Sequence, residues 1–471
     1  MSRRVSQLLI VAVAIAHAAL FIAYQRPDWT SQWTDQNGYL MLGRALAQTG
    51  HFTRFPAAAS YVPEGIRTPA YPAFVALVDR LFGERHAAIA WAQAVLFALT
   101  CLLVYRVARD ATNERVALVA GIATALYAPL PYYGALVLTE TLTTFLVTAA
   151  VAVWIHALRR NATGAFAASG LLFAVAALTR PSFQLLPLAM IVPALVTARD
   201  RHRWWRGCAT MLAVCALAVA PWVAYNAVYF HALTFSPAGG PGRQVFEGSW
   251  QVALPGRLEA ELTAAADAAP DAASLDATVR AIADREQRPA EPLLRYVHQH
   301  LDVQRIWTEP QEPHARMWAR IRADHEYLRV GLENIRRDPV RWAWGRLTRG
   351  TVLFWAAEIP IRYSDINRVP TALVRALWIA QIALLVVAAI GAVALARGGA
   401  WIELGAIVAV AVYVSAVHVP MYSEARYSLP AKPLVLLLAA VAVAGTWGEG
   451  RRWRSGSNGG ADRLPPSQSQ A

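Results

Sequence analysis

Long, uncharged apolar runs recur from one end of this chain to the other. "LLIVAVAIAHAALFIAY" lies near the N-terminus and "LVLLLAAVAVAGTW" near the C-terminus. As helices, runs of this length cross a hydrocarbon core of about 30 Å. Charged residues make up 16% of the chain, against roughly a quarter in a soluble domain of ordinary composition. The mean hydropathy is +0.33. The chain therefore reads as an all-α polytopic membrane protein. Its net charge of +13 raises the question of nucleic acid, but the basic residues sit mainly between the apolar runs. That is the asymmetry that orients membrane helices, and it needs no nucleic-acid partner.

About ten spans follow from the pattern: 6–24, 86–108, 116–134, 138–158, 164–179, 182–198, 207–228, 371–396, 401–418 and 430–447. Basic clusters occupy every second connection: Arg3/Arg4, Arg106/Arg109/Arg115, Arg159/Arg160, "RDRHRWWR" at 199–206, Arg397 and "GRRWR" at 450–454. Both termini are then cytoplasmic, and the long connections 25–85 and 229–345 lie on the outer, periplasmic face. The N-terminus also has the basic start and "AHA" tripeptide of a signal peptide, but the continuing spans favour an uncleaved first helix. Segment 345–363 would break the alternation as a span, so it is expected as an interfacial helix on the outer face.

Four parts result: an N-terminal membrane module (1–228) with the first outer loop at 25–85, a helical periplasmic lid (229–345), a C-terminal part (346–450) and a polar, disordered cytoplasmic tail (451–471). Cys101, Cys208 and Cys215 lie in or beside apolar segments and suit packing better than a disulfide or zinc site. The "NAT" sequon at 161–163 falls on the inner side and is discounted.

Acidic residues near the membrane gather at its outer edge: Asp35, Glu64, Glu140, Glu358, Asp365 and Glu424. An ion-coupled transporter carries such groups at mid-membrane depth. Polar chemistry at one interface suits an enzyme acting on a lipid head group. Asp35 opens "GYLMLGRALAQTG", a short surface helix stopped by Gly50, and either caps that helix or serves chemistry. In "IRTPAYPAF" two prolines set a turn that directs Arg67 and Tyr71, followed by a second surface helix. Arg67 holds either a phosphate, through its planar donor fork, or lipid head groups. Glu140 enters the membrane at the start of a span and so calls for a partner: an arginine, a metal ion or the substrate. Arg180 in "LTRPSF", Asn226 in "PWVAYN", and His418, Arg426 and Tyr427 in "HVPMYSEARYSLPAKP" complete the polar set.

In their order, "TDQNGYLMLGRALAQTG", "RTPAYPAF", "LTETL", "LTRPSF", "PWVAYN" and "EARYSLPAKP" resemble the GT-C superfamily of polyprenyl-phosphate-sugar-dependent glycosyltransferases. The nearest likeness is to the bacterial protein O-mannosyltransferase, lipid A aminoarabinose transferase and Rgt-type lipopolysaccharide transferase branch. The resemblance implies a GT-C-like helical bundle in the inner membrane with surface helices in its first outer loop. It also implies a catalytic carboxylate at Asp35, aided by Glu140. Many relatives carry two adjacent acids there, whereas Gln36 follows Asp35 here. The implied reaction moves a sugar from a polyprenyl-phosphate carrier to a hydroxyl of a glycolipid, glycan or protein. Arg67, Tyr71, Arg180, Asn226, Arg426 and Tyr427 would bind phosphate or sugar. His418 and Glu140 could hold a divalent metal ion or orient the acceptor. Lys432 stands where an apolar residue is expected and could snorkel to the interface. The alternatives are a lipid-linked sugar flippase and an O-antigen ligase or polymerase.

Overall fold

The computed structural model describes residues 2–30, 34–197, 201–362, 365 and 368–445. The tail at 451–471 and the basic run at 450–454 lie outside these, as does the start of the run at 199–206. All regular structure among the described residues is helical.

The chain begins with α1 (Arg3–Gln25), whose first turn is capped by Ser2, and continues through two short helices, α2 (Thr34–Thr49) and α3 (Ala70–Phe82). Then come α4 (His86–Ala111), α5 (Glu114–Leu126), α6 (Pro129–Gly134), α7 (Glu140–Arg160) and α8 (Thr163–Thr179). A broken stretch with α9 (Leu186–Ala189) and α10 (Ile191–Thr197) leads into α11 (Arg201–Phe230). An appended helical body follows: α12 (Gly242–Gln251), α13 (Gly256–Ala268), α14 (Ala272–Arg285), α15 (Ala290–Thr308), α16 (Pro313–Arg337) and α17 (Pro339–Gly345). After a π-helical turn at Arg346–Gly350 come α18 (Thr351–Ala356), α19 (Thr371–Arg397), α20 (Trp401–His418) and α21 (Lys432–Ala444).

Seven described helices are long and apolar enough to cross a membrane, fewer than the ten spans expected. Prolines explain most of the shortfall. The expected span 116–134 stops at Leu126 and restarts at Pro129, leaving α5 at 13 residues, or about 20 Å. The expected span 182–198 is divided into α9 and α10, with Pro187 and Pro193 in their first turns. Proline offers no N–H and clashes with the preceding turn, so neither run continues as one helix. α8 is apolar throughout but has only 17 residues.

Segment 345–363 does not form a membrane-length helix. Its helical part ends at Ala356, where Phe354 and Trp355 are buried against the bundle. Val340, Trp344 and Leu347, one helical face apart, are exposed. The two surface helices of the first loop end as their glycines dictate. Gly50 (φ +73°) and Gly83 (φ +78°) both take the left-handed region that side chains avoid.

The appended body has its own core of Phe246, Trp250, Leu258, Leu262, Val279 and Val297. At the opposite end of the bundle, where the arginine clusters gather, the buried Glu403 is held by Arg159 at 2.6 Å.

Small residues let the long helices approach closely. A Cβ at Gly391 of α19 would lie 1.7 Å from the Leu438 carbonyl oxygen of α21, a backbone atom that cannot turn away. In lipid, where apolar burial between helices gives little drive, such close backbone contact supplies much of the packing. Gly391→Ala is therefore expected to destabilise the bundle by about 1–3 kcal/mol. Gly164→Ala, with open space around it, should not. Thermal unfolding of the purified variants in detergent checks both, and equal midpoints would refute the close-contact role.

Candidate active site

At one end of the bundle the C-termini of α1, α8, α11 and α20 meet the N-termini of α4, α7 and α19. Most of the polar residues picked from the sequence converge there. Asp35 lies in the first turn of α2, and among the described residues its carboxylate bonds no helix amide. It meets two guanidiniums instead. Arg67 donates to Oδ1, and Arg426 approaches Oδ2 at 3.4 Å. The capping reading of Asp35 therefore falls away. Burial alone would raise the Asp35 pKa, but Arg67 and Arg426 outweigh it and hold the carboxyl below its ordinary value. Asp35 is an anion at neutral pH.

Arg426, 13% exposed, is the hub. Its Nε lies 2.8 Å from Glu424 and 3.8 Å from Glu140, while its Nη2 faces Asp35. Arg180 reaches Glu140 at 3.5 Å, and its guanidinium stacks 4.3 Å above the Tyr427 ring. Tyr39 supports Arg67 from the other side, through its hydroxyl at 3.2 Å and its ring at 4.7 Å. Three guanidiniums thus face three carboxylates drawn from α2, α7 and the loops before α3, after α8 and before α21. Glu140 is nearly fully buried, both its ion pairs are long, and its Oε2 has no hydrogen-bond partner among the described residues.

Three expected site residues are placed otherwise. Tyr71 is wholly buried behind Tyr39, ring to ring at 4.9 Å, and its hydroxyl donates to Gln93. It packs the site's floor and does not line it. Asn226 is also wholly buried and donates to the Thr234 carbonyl at 2.7 Å, clasping the turn that follows α11. His418 is stacked on Phe354 and packed against Tyr427, with Nδ1 at the Val414 carbonyl. Glu140, its expected partner, has its charge facing Arg180 and Arg426. Among the described residues no three His, Cys, Asp or Glu side chains could share a metal ion.

Other residues hold the site in place and carried little signal in the sequence. Gln36, where relatives of the resembled family often have a second acid, is buried and accepts the Val137 amide at 2.9 Å. It ties α2 to the loop before α7. Glu64 is wholly buried, takes a bidentate pair from Arg54 at 2.6 and 2.8 Å, and accepts the amides of Ile66 and Arg67. It thereby shapes the turn that presents Arg67. Arg346 in the π-helical turn binds the Val419 carbonyl, Gln251 and Ser423, joining the appended body to the loop that carries Arg426. Lys432 does not snorkel: it is buried and donates to the Trp355 carbonyl at 2.6 Å.

Residues 66–225 match the family model described as dolichyl-phosphate-mannose-protein mannosyltransferase. This stretch contains Arg67, Glu140 and Arg180. Among solved structures, the fold is similar to the oligosaccharyltransferase AglB of Archaeoglobus fulgidus in complex with an inhibitory peptide and a dolichol-phosphate. That likeness has a TM-score of 0.50 at 13% identity over 93% of this chain and 50% of that one. The apo form of the Archaeoglobus enzyme gives the same TM-score and identity over 92% of this chain. At this identity the likeness is one of fold. A further similarity, TM-score 0.41 at 16% identity over 94% of this chain and 78% of the other, is to ArnT from Cupriavidus metallidurans bound to undecaprenyl phosphate. This chain spans about half the length of the archaeal oligosaccharyltransferases it resembles. No curated protein matches it by sequence.

Glu64→Gln tests the support under this charged centre. It leaves the Arg54 guanidinium without its counter-charge and weakens the turn that presents Arg67. Breaking a buried pair on one side typically costs about 3–5 kcal/mol. A fall in thermal midpoint is expected in Glu64→Gln, partly restored when Arg54 is also changed to Met. An unchanged midpoint in Glu64→Gln would show that the pair is not structural.

Proposed function

We propose that this chain is a GT-C-type glycosyltransferase that transfers a sugar from a polyprenyl-phosphate carrier to an acceptor hydroxyl on the periplasmic face of the inner membrane. The observation that carries the reading is the convergence of Asp35, Arg67, Glu140, Arg180 and Arg426, from across the chain, at one end of the bundle. The orientation rests on the arginine clusters at the other end, which put both termini in the cytoplasm. The membrane module and the loop before α21 carry the chemistry, and the appended helices at 242–345 cover it.

The reaction breaks the bond between the anomeric carbon and the phosphate oxygen. It forms a bond from that carbon to the acceptor oxygen, whose proton must leave. Phosphate carries off the electron pair, so positive charge beside it stabilises the transition state. In the structure the guanidiniums are matched by carboxylates. An arriving phosphate competes with Asp35 for Arg67, the more exposed of its two partners. As the phosphate draws Arg67 and Arg426 toward itself, Asp35 loses the charges that depress its basicity. The donor that must be activated thus also frees the base that takes the acceptor's proton. Glu140 Oε2, which has no hydrogen-bond partner among the described residues, accepts a hydroxyl of the sugar or the acceptor and fixes its direction. Tyr427 keeps Arg180 in place by stacking.

Asp35→Asn nearly preserves shape but cannot take the proton. Turnover should fall by at least about a hundredfold, while binding of a polyprenyl-phosphate analogue persists or tightens because the arginines are freed. Sugar transfer by the purified variant at the wild-type rate would sink the assignment and leave Glu140 as the next candidate.

Arg426→Lys keeps the charge but loses the planar fork that spans Asp35 and Glu424 at once. Weaker binding of the analogue is expected in both Arg426→Lys and Arg426→Ala. Unchanged affinity in both would remove Arg426 from the phosphate site.

A further inference from the structure

A second concentration of arginines lies beside the first and takes no part in it. Between the loop that follows α2 and the first turns of α16 is a cavity of about 170 Å³, lined by Arg54, Phe55, Ile66, Arg316, Met317 and Arg320. Several water molecules' worth of space is available there. Its floor is apolar, since Met317 packs with Phe55, Ile66 and Phe230 in one small hydrophobic cluster. Its walls are cationic.

The charges are unevenly answered. Arg54 is neutralised by the buried Glu64. Arg320 has no hydrogen bond or ion pair among the described residues, and its guanidinium lies 3.8 Å over the Trp307 ring. Arg316 likewise has no bonded partner among the described residues. Three guanidiniums therefore share one cavity with a single carboxylate. Burial, together with Arg54 and Arg243, pushes the Arg320 pKa down to about 10. As a piece of scaffold this cluster works against folding, because partly buried like charges repel and lose hydration. Surface arginines without a task would point into solvent. These line a concave, partly apolar space, the arrangement that recognises phosphate or carboxylate.

The cavity's position fits a role in the transfer. Ile66 in its wall is the residue before Arg67, so the space opens next to the Asp35 centre. The electrostatic influence of Arg243 reaches both Asp35 and Arg320. A sugar-bearing molecule could rest its apolar face on Phe55 and Met317 while an anionic substituent meets Arg316 and Arg320.

We propose that this cavity docks an anionic group, a phosphate or a carboxylate, carried by the acceptor, and so selects an acidic envelope glycan or glycolipid. The proposal rests on the transferase reading for the word acceptor. The anion site itself does not depend on it.

The test uses the full-length protein in detergent and two probes, inorganic phosphate and glucuronate, followed by calorimetric titration. Saturable binding of at least one probe is expected in the wild type. It should persist in Arg67→Gln and weaken at least about tenfold in the Arg316→Gln/Arg320→Gln double variant, a change of about 1.4 kcal/mol. Which probe binds tells phosphate from carboxylate. Loss of binding in Arg67→Gln with none in the double variant would assign the anion to the Asp35 centre and overturn the proposal. So would the absence of saturable binding to the wild type.

If the double variant does not fold, Arg316→Gln alone decides. Relief of repulsion should raise its thermal midpoint without anion, and the stabilisation by phosphate or glucuronate should shrink. A lower midpoint with an unchanged anion response would overturn the site. None of these readouts requires turnover. Full sugar transfer by Asp35→Asn would therefore remove the catalytic reading while leaving the anion result standing.

Discussion

The structure turns on the Arg426 guanidinium, which faces Asp35, Glu140 and Glu424 from a site only 13% exposed. A planar fork with five donors can serve three carboxylates at once, where an ammonium would serve them as a point charge. Its partners come from α2, from α7 and from its own loop, so one side chain ties three distant parts of the chain together. With Arg67 and Arg180 added, positive and negative charges match. Such a centre is tolerable at the end of a membrane bundle because each charge is answered by another. On the proposed reading it is also poised, because an anionic substrate disturbs the match and redistributes the arginines.

Much of the surrounding structure holds this network at fixed geometry. Glu64 shapes the turn before Arg67 with two amides and a bidentate arginine. Gln36 ties the helix of Asp35 to the loop leading to Glu140. Arg346, Gln251 and Ser423 lock the appended helices to the loop that leads to Arg426. Tyr71 and His418 pack behind the charged residues as the aromatic backing against which Tyr39 and Tyr427 are set. Polar residues that line a reaction site and polar residues that position it thus alternate along the same short motifs. Neighbours in sequence, such as Asp35 and Gln36, do different jobs because successive residues leave a helix about 100° apart.

The arginine-lined cavity stands apart in character from that network. Of its three arginines only Arg54 has a carboxylate partner among the described residues, and its floor is apolar. A balanced centre suits a reacting group that must be bound and released. An unbalanced one suits recognition, since the missing counter-charge comes with the ligand. Both lie along the loop between α2 and α3, with Ile66 on one and Arg67 on the other.

Hydrophobic run length and the spacing of arginines determined, without any coordinates, that this is an all-helical membrane protein with its polar chemistry at one end. These are one-dimensional properties, because lipid selects for uninterrupted apolar length and for charge asymmetry. The surface helices ending at Gly50 and Gly83 were legible for the same local reason. The expected spans at 116–134 and 182–198 were miscounted because average hydropathy does not register what a proline does to a helix. Within the motifs, sequence could name Asp35, Glu140 and Arg426 but could not separate them from Tyr71, Asn226 and His418. Polar residues in apolar surroundings look alike until their partners are known. Tertiary structure alone paired Asp35 with Arg67 and Arg426 across 32 and 391 residues, and buried Gln36 in a structural bond. It did so because ion pairs and hydrogen bonds depend on distances of a few ångströms, and packing sets those distances between segments whose separation along the chain carries no trace of them.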